Sequence, residues 1–238
     1  KAFKRFSDRE QEAKTDYYAC RRSIVDSAGK VRPVVFYVDT AFDASAYAAV
    51  ERGLLLWNDA FAKIGCKDVV RVEPFPADPA FNDNSLYNNC VRRTGTSNSE
   101  LYTASWVDPR SGEILNASVY VYHDVMKLLN NWLFVQTAQA DERVRAVTIP
   151  EEVIGDGLRY VVAHEVGHCL GYMHNMSASA VIPVDSLRSP SFTQKYGTTT
   201  SIMDYARFNY VARPGDRERG VKLTPPRFGL YDYYAVKW

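Results

Sequence analysis

The chain has 238 residues, enough for one large domain or two small ones, and its 46% hydrophobic and 24% charged residues are typical of a globular protein. A net charge of +1 gives no electrostatic reason to expect nucleic acid or an acidic surface as a partner. No stretch approaches the roughly 18 consecutive apolar residues that a membrane-spanning helix needs, so we expect no membrane span in this chain.

The first 30 residues are charged and show no regular spacing of apolar side chains. This pattern predicts that residues 1–30 are a linker or a segment that wraps the surface, with one domain over residues 31–238. The chain starts at Lys1 with neither an initiator methionine nor the apolar segment of a signal peptide, so we expect the parent protein to carry further domains.

Short apolar runs separated by turn residues predict the elements that follow. Val34–Val38 is a β-branched and aromatic run that is typical of a buried strand. Asp43 offers an N-cap to an amphipathic helix, whose apolar residues recur at three- and four-residue spacing up to a stop at Gly65. The next predicted elements are a strand at Val69–Glu73, a loop over residues 74–85 and a strand at Leu86–Arg92.

The middle of the chain predicts a hairpin followed by a helix. Tyr102–Val107 and Ile114–Tyr122 are strand-like runs on either side of residues 108–113, which include proline, serine and glycine and so favour a turn. A second helix is predicted over Val125–Gln139. His123 stands between the hairpin and this helix, and a lone histidine beside an aspartate is more typical of a structural hydrogen bond than of a metal site.

The other three histidines lie in one eleven-residue span that reads H-E-x-x-H-x-x-G-x-x-H. On a helix, His164 and His168 project from one face with Cβ atoms about 5–6 Å apart, which suits two ligands of one metal ion. Glu165 points roughly 100° further around the helix, which is a poor direction for a third ligand and a good one for a base beside the metal.

The third ligand must come from beyond the helix, because a continued helix would carry His174 away from the ion. Pro150 and the two glutamates after it begin the helix, and Gly171 can end it in the left-handed conformation and so let the chain deliver His174. Three protein ligands leave a fourth position for water, as in catalytic zinc sites. The sequence therefore predicts one catalytic Zn²⁺ held by His164, His168 and His174.

The opposite face of this helix is apolar, through Val162, Val166, Cys169 and Leu170, and we expect it to pack on the core. Cys169 is therefore interpreted as a buried thiol rather than a ligand. None of the four cysteines shows C-x-x-C spacing, so free thiols are expected, although the sequence leaves three disulfide pairings open.

The histidine span resembles the zinc signature of the metzincin metallopeptidases, and the Ser201–Tyr205 segment resembles their Met-turn. Within that clan, the chain from about residue 31 onward is most similar to bacterial zinc-dependent metallopeptidases with an EcxA-like catalytic domain. The likeness is carried by Pro33–Asp39, Asp108–Leu115, Arg159–Ala163 and Asn175. Asn175 departs from the residue found there in astacins, adamalysins, matrixins and serralysins, so contacts specific to those groups are not carried over.

The resemblance implies further roles in the site. Met203 would form an apolar floor beneath the three histidines, and Gly171 and Met203 together would support the site. The hydroxyl of Tyr205 would bind zinc at rest and stabilise the oxyanion during turnover. The alternative for Tyr205 is a side chain packed behind the turn.

The fold that the resemblance implies is α+β, with a twisted, mostly parallel five-stranded sheet, an antiparallel edge strand, an active-site helix, a Met-turn and a C-terminal helix. The catalytic domain would have an upper part over residues 31–174 and a lower part over 175–238. After His174 in the sequence, we expect little regular structure until Thr224-Pro225-Pro226, which could cap a helix that runs through Ala235. Tyr102–Val107 would be the edge strand, where a protein or peptide substrate adds as an extra strand; burial under a loop is the alternative.

The hypothesis is a zinc-dependent endopeptidase in which Glu165 is the general base that acts on a metal-activated water. Two alternatives stay open: a catalytically inactive zinc-containing binding or adhesion module, and a zinc hydrolase for a non-peptide amide. The resemblance implies an extracytoplasmic location. Residues 204–216 should shape the pocket next to the scissile bond, and their aromatic and basic side chains favour either an aromatic or an acidic substrate residue.

Overall fold

The computed structural model describes residues 2–9, 11–97 and 101–238. Seven strands are present in the described residues: β1 (Ala2–Arg5), β2 (Lys14–Tyr17), β3 (Val34–Val38), β4 (Val70–Pro74), β5 (Asn89–Thr94), β6 (Leu101–Val107) and β7 (Ile114–Tyr122). The described α-helices are α1 (Ala44–Leu55), α2 (Trp57–Ala62), α3 (Val125–Thr137), α4 (Glu151–Leu170), α5 (Pro190–Tyr196) and α6 (Leu230–Ala235).

Five of the strands form one sheet in the order β4-β3-β5-β7-β6. The β4–β3, β3–β5 and β5–β7 pairs are parallel, whereas β6 runs antiparallel to β7 and forms an edge of the sheet. The α+β class, the mostly parallel five-stranded sheet and the antiparallel edge strand are therefore confirmed. β1 and β2 form a separate antiparallel pair.

A single hydrophobic core joins the sheet to α1, α3 and α4. The helices α1 and α4 pack closely, because Gly53 has no side chain: a Cβ there would lie 2.8 Å from the carbonyl oxygen of Arg159. Trp57 of α2 is fully buried and donates its indole N–H to the carbonyl oxygen of Ala163 at 2.9 Å. Its ring stacks on Tyr172, with centroids 4.9 Å apart. These contacts fix α4 against the rest of the domain.

Two predictions in the N-terminal half are wrong in detail. The helix predicted from Asp43 to Gly65 begins as expected but is divided at Leu56, where a tighter turn forms and Asp59 N donates to Leu56 O at 3.1 Å. The strand predicted at Leu86–Arg92 is β5, which begins only at Asn89. The residues before it are held in consecutive turns, because the side chains and backbone of this polar loop hydrogen-bond locally.

Pro150 begins α4 as its N-cap, with Glu151 and Glu152 in the first turn, as predicted. Two other predictions in the C-terminal half are corrected. The sequence prediction missed α5, whose N-cap Ser189 accepts a hydrogen bond from Phe192 N at 3.3 Å. The final helix is not capped by Thr224-Pro225-Pro226: α6 starts at Leu230, where the carboxylate of Asp232 accepts the N–H of Gly229 at 2.9 Å.

The N-terminal segment contains two strands that its charged composition did not predict, β1 and β2. Further along, Arg21 exchanges backbone hydrogen bonds with Gly112 O and Ile114 N, at 3.2 and 3.0 Å, so this part of the segment lies on the β6–β7 hairpin. The four cysteines are free thiols, with Cys90 and Cys169 buried. Among the described helices, none has the length and apolar character required to cross a membrane.

Candidate metal centre and active site

The structure brings together the three histidines of the motif. Their potential ligand nitrogens all lie within 4.8 Å of one another, and the Nε2 atoms of His168 and His174 are 3.1 Å apart. His164 and His168 project from α4, whereas His174 lies on the irregular chain after it. This is the only group of three or more potential ligands of this kind within the described part of the chain.

Backbone carbonyls fix the orientation of the two helical rings. Nδ1 of His164 lies 2.7 Å from the carbonyl oxygen of Ile202, and Nδ1 of His168 lies 2.8 Å from that of Tyr172. Because a carbonyl oxygen only accepts, each Nδ1 carries the proton and each Nε2 keeps its lone pair for a metal. Burial also lowers the pKa of His164 to about 4 and lowers that of His168, so both rings are neutral, as metal ligation requires.

Gly171 ends α4 as predicted. Its φ of 105° is in the left-handed region, and its N–H donates to the carbonyl oxygen of His168 at 3.0 Å. A side chain is excluded here as well, because a Cβ would lie 2.3 Å from the carbonyl oxygen of Cys20. Three residues further on, His174 reaches the cluster. Asn175 N then donates to Met203 O at 2.9 Å and connects this segment to residues 201–205, which we call the Met203 turn.

The side chain of Met203 is buried and packs against α4 at Gly167, which lies between His164 and His168 in the sequence. A Cβ added to Gly167 would lie 2.2 Å from the Met203 sulfur and 2.9 Å from the Trp57 ring. Met203 therefore occupies the space that a side chain at Gly167 would need, which is consistent with the apolar floor implied by the resemblance. Gly167 was not singled out from the sequence. Its signal was available, since a glycine inside a helix is costly and often marks close packing.

The carboxylate of Glu165, the residue that follows His164 on α4, contacts the edge strand. Its Oε2 accepts a hydrogen bond from the hydroxyl of Thr103 on β6, at 2.5 Å. Burial raises the pKa of Glu165 to about 7, against the opposing effect of the Thr103 hydrogen bond. Thr103 was not identified from the sequence, because nothing in the strand pattern distinguishes it from its neighbours.

Tyr205 lies on the histidine side of the Met203 turn. Its ring centroid is 4.6 Å from that of His174 and 5.5 Å from that of His164, and the residue is 55% exposed. The side chain is therefore not packed behind the turn, which was the alternative. The role of its hydroxyl in catalysis stays a prediction.

A buried carboxylate from the last helix supports the Met203 turn. Asp232 accepts hydrogen bonds from Ser201 Oγ at 2.7 Å, from Ile202 N at 2.8 Å and from Gly229 N at 2.9 Å. Burial is the main influence on this group and raises its pKa to about 6. Sequence reasoning missed Asp232, since an acidic residue in the first turn of a helix is common and does not show what it contacts.

Two residues that the sequence excluded from the site lie outside the cluster. Cys169 is fully buried, and burial raises the pKa of its thiol to about 12. The other apolar residues of its stripe, Val162, Val166 and Leu170, are buried too. His123 is exposed, and its Nδ1 lies 3.4 Å from a guanidinium nitrogen of Arg93.

The geometry defines an α+β domain with a three-histidine centre whose neutral nitrogen donors fit a zinc ion. A family model described as Met-zincin (DUF4953) matches residues 146–238, which contain α4, the three histidines and the Met203 turn. Neither the curated proteins nor the solved structures include a match to the chain. The match and the histidine cluster together support a metzincin-type family, and such a family suggests a zinc metallopeptidase.

Proposed function

We propose that the chain is an active zinc-dependent endopeptidase of the metzincin type, with an EcxA-like catalytic domain. His164, His168 and His174 would hold the single zinc ion, and Glu165 is the general base. The observation that carries this proposal is the contact of the Glu165 carboxylate with Thr103 of β6, an edge strand of the sheet, from the residue next to His164 of the cluster. The resemblance also favours an extracytoplasmic location.

The chemistry divides between the metal and the side chains. When bound, zinc supplies a Lewis acid that polarises the scissile carbonyl and makes water acidic enough to lose a proton near neutral pH. Glu165 accepts that proton on its carboxylate and later donates it to the leaving amine. Tyr205 donates a hydrogen bond from its hydroxyl to the developing oxyanion, a contribution typically worth about 10²–10³ in rate.

An extended peptide bound along β6 is the proposed substrate. An edge strand has backbone N–H and C=O groups free to pair with a peptide. Tyr102 and Trp106 on this strand are 58% and 65% exposed and can contact substrate side chains.

In residues 204–216, Arg207 lies over the ring of Trp132, with its guanidinium carbon 4.1 Å from the centroid. Cleavage of an unbiased peptide library would show whether the pocket next to the scissile bond prefers an aromatic or an acidic substrate residue.

Replacing the proposed base tests this function. We expect Glu165→Ala to bind one zinc ion per chain, as the wild type does, and to lose nearly all peptide cleavage, since general acid–base catalysis contributes about 10²–10⁴ in rate. Zinc content is measured by elemental analysis, and cleavage by mass spectrometry of a diverse peptide library. The matched control is Glu152→Ala, because Glu152 is on the same helix but 68% exposed and three to four turns away.

Chelation separates the proposed function from its rivals. Removal of zinc should abolish cleavage, and restored zinc should recover it. A zinc-loaded wild type that cleaves no peptide in the library would contradict the proposal and favour a binding module. Hydrolysis limited to small non-peptide amides would instead favour the third hypothesis, and full cleavage by Glu165→Ala would exclude Glu165 as the base.

A further inference from the structure

We propose that Thr103 is a positioning residue that holds the carboxylate of Glu165 in the orientation needed for proton transfer. The inference rests on the proposed function, and it assigns a task to an edge-strand side chain. The hydroxyl of Thr103 lies 2.5 Å from Oε2 of Glu165 and 3.4 Å from the carbonyl oxygen of the same residue. Both contacts join β6 to α4.

The geometry leaves one carboxylate oxygen available for the reaction. No second hydrogen bond to the carboxylate of Glu165 is found within residues 2–9, 11–97 and 101–238. The hydroxyl of Thr103 therefore engages Oε2, and Oε1 remains for the proton that the base accepts.

The hydroxyl of Thr103 is well placed to act as a fixed support. Thr103 is paired opposite Val119 of β7, and both neighbours of Thr103 on β6 are paired with β7 as well. A β-branched side chain has restricted χ1 rotation, so its hydroxyl direction is largely set by the strand. A glutamate side chain, by contrast, has three rotatable bonds and loses freedom only when something holds it. Thr103 supplies this restraint from a rigid element.

The decisive comparison is between Thr103→Val and Thr103→Ser. Valine keeps the shape and the strand preference of threonine but has no hydroxyl. We expect Thr103→Val to lower kcat by roughly 10- to 100-fold, the usual effect of removing a group that orients a catalytic residue, with KM and zinc content within about twofold of the wild type. Thr103→Ser keeps the hydroxyl, so its kcat should stay within about threefold of the wild-type value, compared with the 10- to 100-fold loss expected for Thr103→Val.

A buried threonine elsewhere provides the matched control. Thr137 on α3 is 1% exposed and donates its hydroxyl to Leu133 O at 2.7 Å, far in sequence from the site residues. Thr137→Val therefore removes a buried hydroxyl with the same change in shape, and its kcat should equal that of the wild type. Undiminished kcat in Thr103→Val, or equal losses in the valine and serine variants, would overturn the proposal.

A second measurement keeps this proposal separate from the proposed function. In a double-mutant cycle with Thr103→Val and Glu165→Ala, the urea-unfolding free energies of the zinc-loaded proteins should be non-additive, because the two side chains are in direct contact. Additive effects would overturn the positioning role whatever the activity. If the wild type cleaves no peptide but the unfolding free energies of the two variants are clearly non-additive, the proposed function is contradicted, whereas the contact between Thr103 and Glu165 is supported.

Discussion

The three histidines of the candidate metal centre come from two regions with different kinds of support. The helix α4 supplies His164 and His168, and its polar backbone groups are satisfied within the helix itself. The chain over residues 171–229, which is irregular apart from α5 and two short 3-10 helices and is called the irregular region below, supplies His174. Several of its backbone N–H groups are satisfied by buried carboxylates. These are Asp204, which accepts Ser179 N at 2.7 Å; Asp216, which accepts Arg213 N at 2.9 Å; and Asp232, described above.

The two regions are therefore sensitive to different substitutions. The helix depends on local periodicity and close packing, so steric changes on its buried face should disturb it most. The irregular region depends on a few carboxylates that satisfy backbone groups, and two of them, Asp204 and Asp232, accept from residues 25 and 30 positions away in the sequence. Loss of one carboxylate therefore leaves buried donors without acceptors, which is costly.

The two regions meet at Ile202. Its N–H donates to the carboxylate of Asp232 at 2.8 Å, and its carbonyl accepts the Nδ1 proton of His164 at 2.7 Å. Through this one residue, the last helix of the chain is connected to the most buried of the three histidines. A change in α6 should therefore affect the candidate metal centre as well as the stability of the irregular region.

The largest effect is expected for Asp232→Ala. This change leaves three donors, Ser201 Oγ, Ile202 N and Gly229 N, without their acceptor. Because each unsatisfied buried group costs about 1–3 kcal/mol and the effects overlap, we expect a loss of about 3 kcal/mol in the free energy of unfolding. Urea denaturation measures this loss, and competition with a zinc chelator measures the weaker zinc binding that should accompany it.

Two variants control this experiment. Asp232→Asn keeps one carbonyl acceptor and nearly the same shape, so its loss should be smaller than that of the alanine variant. Asp185→Ala removes an exposed carboxylate from the same irregular region and should change stability by less than about 0.5 kcal/mol. If Asp232→Ala were no more harmful than Asp185→Ala, the support that we assign to Asp232 would be wrong.

A pair of glycine substitutions on α4 should have opposite signs. A Cβ at Gly167 would lie 2.2 Å from the sulfur of Met203, so Gly167→Ala should destabilise the fold by about 1–3 kcal/mol, as overpacking does, and should weaken zinc binding. A Cβ at Gly155 would meet its nearest neighbour, Arg52 Nη2, at 3.6 Å, an ordinary contact. Gly155→Ala should therefore stabilise the helix by about 0.5–1 kcal/mol, through helix propensity alone.

Thermal denaturation with and without zinc measures both substitutions. The Gly155→Ala variant serves as the reference for propensity, since both glycines are inside the same helix. If Gly167→Ala stabilised the fold as much as Gly155→Ala does, the side chain of Met203 would have to move freely away from residue 167. In that case, the methionine could not be a fixed floor for the histidines.

The parts that could be predicted from the sequence are those determined by local spacing. The i,i+4 histidines, the glutamate between them and the helix-ending Gly171 follow from helix geometry, and α4 has them as expected. The strands β3 and β7 and the helix α3 follow from hydrophobic periodicity in the same way. The hairpin of β6 and β7 follows from the turn residues between the two strands, whereas the mostly parallel sheet and the edge position of β6 came from a family resemblance. The order of the strands was not predicted, because periodicity does not specify it.

The parts that could not be predicted depend on contacts between distant residues. Thr103 and Glu165 are 62 positions apart, and Asp232 and Ile202 are 30 apart, so neither pair leaves a signal in a local pattern. The start of β5 and the division at Leu56 depend on how turns compete with regular structure. The helix α5 is different, because the Ser189-Pro190 start and the Gly197 end were visible in the sequence and were overlooked.

The smallest expected effect is a pH dependence that belongs to the irregular region alone. Asp216 is buried, and the guanidinium of Arg188, 2.7 Å away, is the main reason that the pKa of this carboxyl lies well below its usual range; Arg213 N and Arg219 add to the effect. A lowered folded-state pKa means that the stabilisation is present above the unfolded pKa of about 3.9 and is lost as the pH falls through the folded value.

Asp216→Asn should therefore be less stable than the wild type at pH 7, and the difference should shrink steadily as the pH falls below about 4. Because the side chains of Arg188 and Arg219 are 36% and 58% exposed, solvent screening limits the difference at pH 7 to about 1 kcal/mol. Urea denaturation of the zinc-free proteins between pH 2 and pH 7 measures it without interference from metal release. A difference that stays constant over this range would mean that Asp216 supports residues 204–216 by shape and neutral hydrogen bonds. The irregular region, like α4, would then be stabilised without charge.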